Sequence, residues 1–215
     1  MFGNQKLKIR NHALGVKEDL TILNMVETYE VYGVKIKGVK PLLVSRITEE
    51  DLKPASRKRS STPDPESEAK KRLYLNQEGE PCIPAKNIKA MIRDAGAQFK
   101  LPQRFSTYKS MIKAGIDIEP ELVPITDPNN GKSAEWKIDI QIGRLPGKSS
   151  RVLVIRPRFD SWQLEFKIIN RDPEILKEDI LRKILEEGGK WYGLGSYRPE
   201  FGRFEVIEFK KLEND

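Results

Sequence analysis

Apolar residues recur at every second position in three stretches of this chain and at helical spacing in two others. Tyr32, Val34 and Ile36 alternate with Lys35 and Lys37, the period of a strand with one buried face. Pro41–Arg46 continues that strand beyond a kink at Gly38 and Pro41. Leu73-Tyr74-Leu75 reads as a short strand before the turn Asn76–Gly79. Trp136, Ile138, Ile140 and Ile142 alternate with Lys137, Asp139 and Gln141, again predicting one buried face. Arg151–Arg158 carries the apolar run Val152–Ile155, and Trp162, Leu164, Phe166 and Ile168 alternate behind the turn Phe159-Asp160-Ser161. These last two stretches predict an antiparallel hairpin. Phe204, Val206 and Ile207 open a final strand running to about Lys210.

The helical stretches fall between the strands. Ile88, Met91, Ile92 and Ala95 share one face at about 100° per residue. Pro84 suits a first helical turn and Gly96 a C-terminal cap. Lys86, Lys89 and Arg93 fall on the opposite face and form a basic stripe. In the second helix Leu176, Ile180, Leu181, Ile184 and Leu185 make the apolar face, with Asp172 as N-cap, Pro173 at the first position and Gly188-Gly189 as the stop. The order strand, helix, strand, strand, helix, strand predicts an α+β fold with a ferredoxin-like, RRM-like βαββαβ core. On this reading residues 1–28 are an N-terminal arm and 29–215 one domain. The domain carries insertions after the first strand (53–72) and after the first helix (97–131). In that topology the helices cover one sheet face and leave the other open, the face that RNA-recognition domains offer to single strands.

Composition sharpens the reading in two places. Apolar residues make up 38% of the 215 and charged residues 33%, with a net charge of +7; the excess favours an anionic partner, nucleic acid before a membrane surface. Residues 53–72 hold seven basic and three acidic side chains and no large apolar one, so this insertion is expected to be mobile and basic, with Arg57-Lys58-Arg59 at its centre. The basic triplets Arg57–Arg59 and Lys70–Arg72 also match a bipartite nuclear signal, a cheap match in any Lys/Arg-rich loop. Residues 97–131 are punctuated by Pro102, Pro120, Pro124 and Pro128 and read as an irregular insertion of loops and short strands. No apolar stretch reaches membrane-spanning length, no secretory h-region is expected at the start, and a single cysteine, Cys82, leaves no disulfide framework. A cytoplasmic location is the default expectation.

The densest local pattern is Gly188–Phe204, where five glycines interleave with aromatics and with Lys190, Arg198 and Arg203. Glycines let another backbone approach closely; aromatics stack on bases while Arg and Lys hold phosphate. Gly193, Gly195, Tyr197, Arg198 and Arg203 are therefore candidate nucleic-acid contacts, alongside Lys86, Lys89, Arg93, Arg57, Lys58 and Arg59. The alternative is a loop whose glycines permit turns and whose aromatics, Trp191 and Phe204 foremost, plug the core. Phe201 and Phe204 are assigned to the core in either case.

At these residues the sequence resembles the RAMP superfamily of CRISPR-associated proteins, whose shared mark is a glycine-rich loop after the second ferredoxin helix. The helix opening Ile83-Pro84-Ala85-Lys86-Asn87-Ile88-Lys89 is similar to the I-P-G-S-S-L-K-G start of that superfamily's backbone-type subunits, with Ala85 where the family prefers Gly. A compact basic chain of this kind also resembles hypothetical proteins encoded by phages. The resemblance implies binding of single-stranded RNA by subunits that stack into a filament, with self-association or RAMP-type neighbours as partners.

Catalytic chemistry is thin. His12 is the only imidazole and lies outside the predicted core. Asp51 and Asp64 fall where some backbone-type subunits place a metal-assisted aspartate, but Asp64-Pro65 is equally a turn former. Cys82, with no base near it in sequence, reads as a buried small hydrophobe. No catalytic residue, metal or cofactor is assigned. Binding of single-stranded RNA, or of DNA, without cleavage is the favoured function. A RAMP-type endoribonuclease and a scaffold for an anionic protein partner stay open.

Overall fold

The structure, a computed structural model, describes residues 29–49, 64–102, 104–144 and 151–213. Its main sheet has four antiparallel strands. β1 (Glu30–Gly38) lies at the centre between β10 (Phe204–Leu212) and β9 (Gln163–Asn170), and β5 (Ile116–Glu119) pairs with the far edge of β9. The alternation predicted for β1 holds. Tyr32, Val34 and Ile36 are buried, and the chain rejoins β10 across an irregularity at Lys35/Ile36.

Two helices fill the buried side. α2 (Ala85–Gly96) buries Ile88, Met91, Ile92 and Ala95, as its spacing predicts, and α4 (Glu178–Glu187) buries Leu181, Ile184 and Leu185. These side chains join Tyr32, Val34, Ile36, Leu164, Phe166 and Ile168 in one core. Gly96 is the last residue of α2 rather than a cap outside it. A Cβ there would strike the Ile112 side chain of α3 (Lys109–Gly115), so the glycine lets two helices meet. α4 begins later than predicted. Asp172 instead closes a separate turn, accepting from Ile175 N at 3.3 Å on its carboxylate and from Leu176 N at 2.8 Å on its carbonyl.

Five further expectations need correction. Residues 97–131, expected to be loops and short strands, also hold a helix. They contain α3, β5 and β6 (Leu122–Pro124), because Ile112, Ile116 and Val123 are fully buried, Pro102, Pro120 and Pro128 fall between elements and Pro124 ends β6. The stretches 151–158 and 162–168 do not form a hairpin with each other. β8 (Arg151–Phe159) pairs with β7 (Lys137–Arg144) and with β2 (Leu42–Leu43) in a second sheet of order β2-β8-β7, while β9 enters the main sheet. Trp162 makes the switch: it is fully buried, its indole N–H donates to the Lys40 carbonyl at 2.8 Å, and its own carbonyl accepts from Gly38 N.

Third, the isoleucines of β7 are not its buried face. Ile138, Ile140 and Ile142 stand out in solvent, opposite Pro157, Ile155 and Leu153 of β8. Fourth, part of the basic insertion is helical, as α1 (Pro65–Lys71). Asp64 caps it by accepting from Ser67 N at 2.9 Å, Glu66 pairs with Lys70 at 2.8 Å, and Ala69 is buried. Short-range capping and i,i+4 pairing supply what the composition lacks. The rest of the insertion, including Arg57, Lys58 and Arg59, lies outside the described residues, as do the arm 1–28, His12 and Asp51.

Fifth, the open side of the main sheet, the face that this topology offers to single strands, carries charged residues. Its strand positions are Gly33, Lys35 and Lys37 on β1, Glu165 and Lys167 on β9, and Glu208 and Lys210 on β10, and Lys35 pairs with Glu165 at 3.3 Å. Charges of both signs without stacking rings do not suit a single strand. A third small sheet joins β3 (Tyr74–Leu75), β4 (Pro81–Pro84) and β6. No described helix is long and apolar enough to cross a membrane.

Candidate nucleic-acid interface

The chain leaves α4 through a wide turn, Gly188–Tyr192, and then forms the glycine-rich loop before β10. Gly193, Gly195 and Gly202 all have φ near +70° (69, 73 and 74°), a conformation that L side chains adopt only with strain. The close approach that the glycines permit is made by the protein itself. A Cβ on Gly195 would collide with the Leu43 carbonyl of β2, and one on Gly193 would lie 2.8 Å from the Phe201 carbonyl. The expectation that ligand backbone passes over Gly193 and Gly195 is therefore corrected. They let the loop dock as an extra rung on β2, with Ser196 N donating to Leu43 O at 2.7 Å, Leu194 N to Gly202 O at 2.8 Å and Gly202 N to Pro41 O at 2.8 Å.

Docked in this way, the loop holds its polar side chains outward. Tyr197 is 42% exposed at φ 55°, and Arg198 is exposed. Phe204 is buried and meets Trp162 edge-on with ring centroids 6.4 Å apart, as assigned. Phe201 is only half-buried, with the Arg158 guanidinium 6.0 Å above its ring. Trp191 plugs no core. It is 55% exposed, and its indole donates to Glu187 Oε2 at 2.7 Å. Arg203 turns back into the loop, its Nε donating to the Pro199 carbonyl at 2.9 Å.

The basic stripe on α2 divides. Lys89 reaches Asp117 of β5 at 3.3 Å, and Asp117 also accepts from Arg171 at 2.8 Å. The Arg171 hydrogen bond first, and then Lys89, hold the Asp117 carboxyl below the usual carboxylate range. Arg93 folds onto its neighbour Asp94 at 2.8 Å. Two of the three cations are thus matched by carboxylates. Lys86, in the first turn, is exposed and points elsewhere. It lines a groove of about 330 Å³ together with Asn87, Ser45, Tyr74, Ser196 and Arg198. The lining contains no carboxylate.

The structure therefore brings Lys86, Gly195 and Arg198 together from segments distant in sequence and leaves Lys89, Arg93 and Arg203 engaged within the protein. Sequence reasoning missed Ser45, Asn87 and Ser196, which carry no signal beyond being small and polar. It also missed Arg156 of β8, whose guanidinium carbon lies 4.4 Å from the Tyr197 ring centroid. A charged residue inside an apolar strand was the signal for Arg156. Cys82 is buried, and burial raises its thiol pKa above the ordinary value. Asp64 is occupied as the cap of α1. The described residues show no group of three or more His, Cys, Asp or Glu side chains poised for a metal.

No family model matches the sequence, and no curated protein matches it. Among solved structures, it is similar to a chain in the "Cryo-EM structure of the Type III-B Cmr-beta bound to cognate target RNA". The TM-score is 0.48 and the identity 14%, over 86% of this chain and 61% of that one. This chain thus spans about three-fifths of that chain's length. It is also similar to the "Crystal structure of Cmr6 from Pyrococcus furiosus", at TM-score 0.45 and 13% identity, over 86% of this chain and the whole of the other.

Proposed function

We propose that this protein binds single-stranded nucleic acid, RNA ahead of DNA, in the groove between the start of α2 and the glycine-rich loop. The observation that carries the reading is the meeting of Lys86 and Arg198 in a groove whose lining holds no carboxylate. On the same helix, Lys89 and Arg93 are matched with acids and Lys86 is not. Two unmatched cations flanked by Ser, Asn and Tyr side chains suit a phosphodiester chain. The preference for RNA rests on the resemblance carried by Gly188–Phe204 and Ile83–Lys89. The sheet order β10-β1-β9-β5, with α2 between β1 and β5 and α4 between β9 and β10, supports a ferredoxin-like core of RAMP type. Assembly along the strand belongs to the same proposal. The isoleucine stripe of β7 is the surface that supports self-association, because contiguous exposed apolar residues mark interaction sites.

Titration of labelled single-stranded RNA and DNA over a range of salt tests the reading. The doubly substituted Lys86→Ala, Arg198→Ala protein should melt as the unmodified protein does. Its log–log salt slope should be shallower by about 1.4, roughly 0.7 for each lost phosphate contact. An unchanged slope would overturn the assignment of the groove. Affinity that ignores salt altogether would favour a protein partner instead.

A further inference from the structure

The groove does not end at Arg198. Ser45 also lines a second hollow, of about 250 Å³, between α1 and β8, whose walls include Glu68, Arg72, Leu153 and Arg156. Glu68 is already answered there by Lys71 at 3.5 Å and Arg72 at 3.9 Å. Arg156 is not answered. Its Nε and Nη1 are buried and meet no acceptor in the described protein. Asp139 faces it in register across the β7–β8 pair, yet the Asp139 carboxylate lies 3.7 Å from Arg158 Nη1 and leaves its Oδ2 without a partner. The Arg156 guanidinium carbon instead lies 4.4 Å from the Tyr197 ring centroid. A guanidinium held against a ring still donates within its own plane, and a turn of the side chain toward the hollow that it lines brings those donors to an oxyanion.

We infer that Arg156 is a second phosphate contact, so that a single strand held by Lys86 and Arg198 runs on past Ser45 and places a later phosphate on the Arg156 guanidinium beside Tyr197. The inference rests on the reading of the first groove as a nucleic-acid site and adds its direction and length. Buried donors of a charged group without acceptors are costly in a protein at rest. An arriving phosphate oxygen satisfies them with charge-assisted hydrogen bonds. Tyr197 then fixes the guanidinium plane and offers its outer face to a base, so one side chain serves both contacts.

Oligouridylates of graded length provide the test, with binding followed by anisotropy and folding by thermal melting. Arg156→Met keeps an unbranched side chain, two atoms shorter, and removes the orphaned donors. It should melt at the same temperature as the unmodified protein or higher, since replacing an unsatisfied buried charge by an apolar side chain is neutral or stabilising. It should bind strands longer than about four nucleotides roughly tenfold more weakly, the effect of losing one charge-assisted hydrogen bond, and bind dinucleotides as before. The Lys86→Ala, Arg198→Ala protein should lose affinity at every length. Equal loss at all lengths with Arg156→Met, or no loss at any length, overturns the track. A lowered melting temperature with unchanged affinity would assign Arg156 to Asp139 as a structural partner and also overturn it. If the unmodified protein binds no strand of any length, the groove reading itself fails and takes this inference with it.

Discussion

β1 and β7 carry the same alternation of apolar and polar residues and meet opposite fates. In β1, Tyr32, Val34 and Ile36 are closed off by two helices, and the lysines between them face outward. In β7, Ile138, Ile140 and Ile142 stand at 40, 52 and 67% exposure, while Asp139, the polar residue between the first two, keeps only 11% of its side chain exposed. Alternation fixes that a strand has two unlike faces. It does not say which face is inside, because that depends on what lies against it. β1 has β9 and β10 on both edges and α2 and α4 above it. Among the described residues β7 is an edge strand beside β8, and its isoleucines stay exposed. A ribbon of two long strands with its apolar side outward is incomplete as a stand-alone unit, since apolar area left in water forgoes the main driving force for folding.

The comparison can be broken most decisively by matched truncations. Ile36→Ala, at a fully buried position, should cost about 2–5 kcal/mol in urea unfolding, the range for emptying a core site. A cost below 1 kcal/mol would mean that β1 is not the centre of the core. The junction between the two sheets comes next. Gly195→Ala forces a Cβ against the Leu43 carbonyl at φ 73° and should lower stability by about 1–3 kcal/mol, as backbone strain does. Wild-type stability in that variant would show that the loop is not docked on β2. The smallest effect belongs to the ribbon. Ile140→Thr should change the unfolding free energy by no more than about 0.5 kcal/mol, as exposed substitutions do. The same variant should shift sedimentation at high protein concentration toward the monomer. A large loss of stability in dilute solution would place Ile140 in a core that the structure does not show.

Much of the fold was legible in the sequence because it rests on local rules. The apolar face of α2, the buried side of β1, and the pairing of Phe204 with the core all follow from spacing alone. Asp64-Pro65, read as a turn former, proved to be a helix start, with a carboxylate that caps and a ring that fits the first turn. The errors came where partners had to be chosen. Val152–Ile155 and Trp162–Ile168 are each strands, yet no local feature records that Trp162 crosses into another sheet. β5 was hidden because four residues, Ile116–Glu119, are too few to show a period.

The candidate site divides along the same line. The sequence by itself determined that Gly188–Phe204 is a special loop, that α2 carries a basic stripe, and that an anionic partner suits the net charge. Only the tertiary structure decided that the glycines serve contact with β2, that Asp117 and Asp94 neutralise Lys89 and Arg93, and that Lys86, Arg198 and Arg156 are left in adjoining hollows. The physical reason is range. Backbone conformation and helix faces are set within a few residues, whereas the matching of one charge by another depends on which distant strands the core brings side by side.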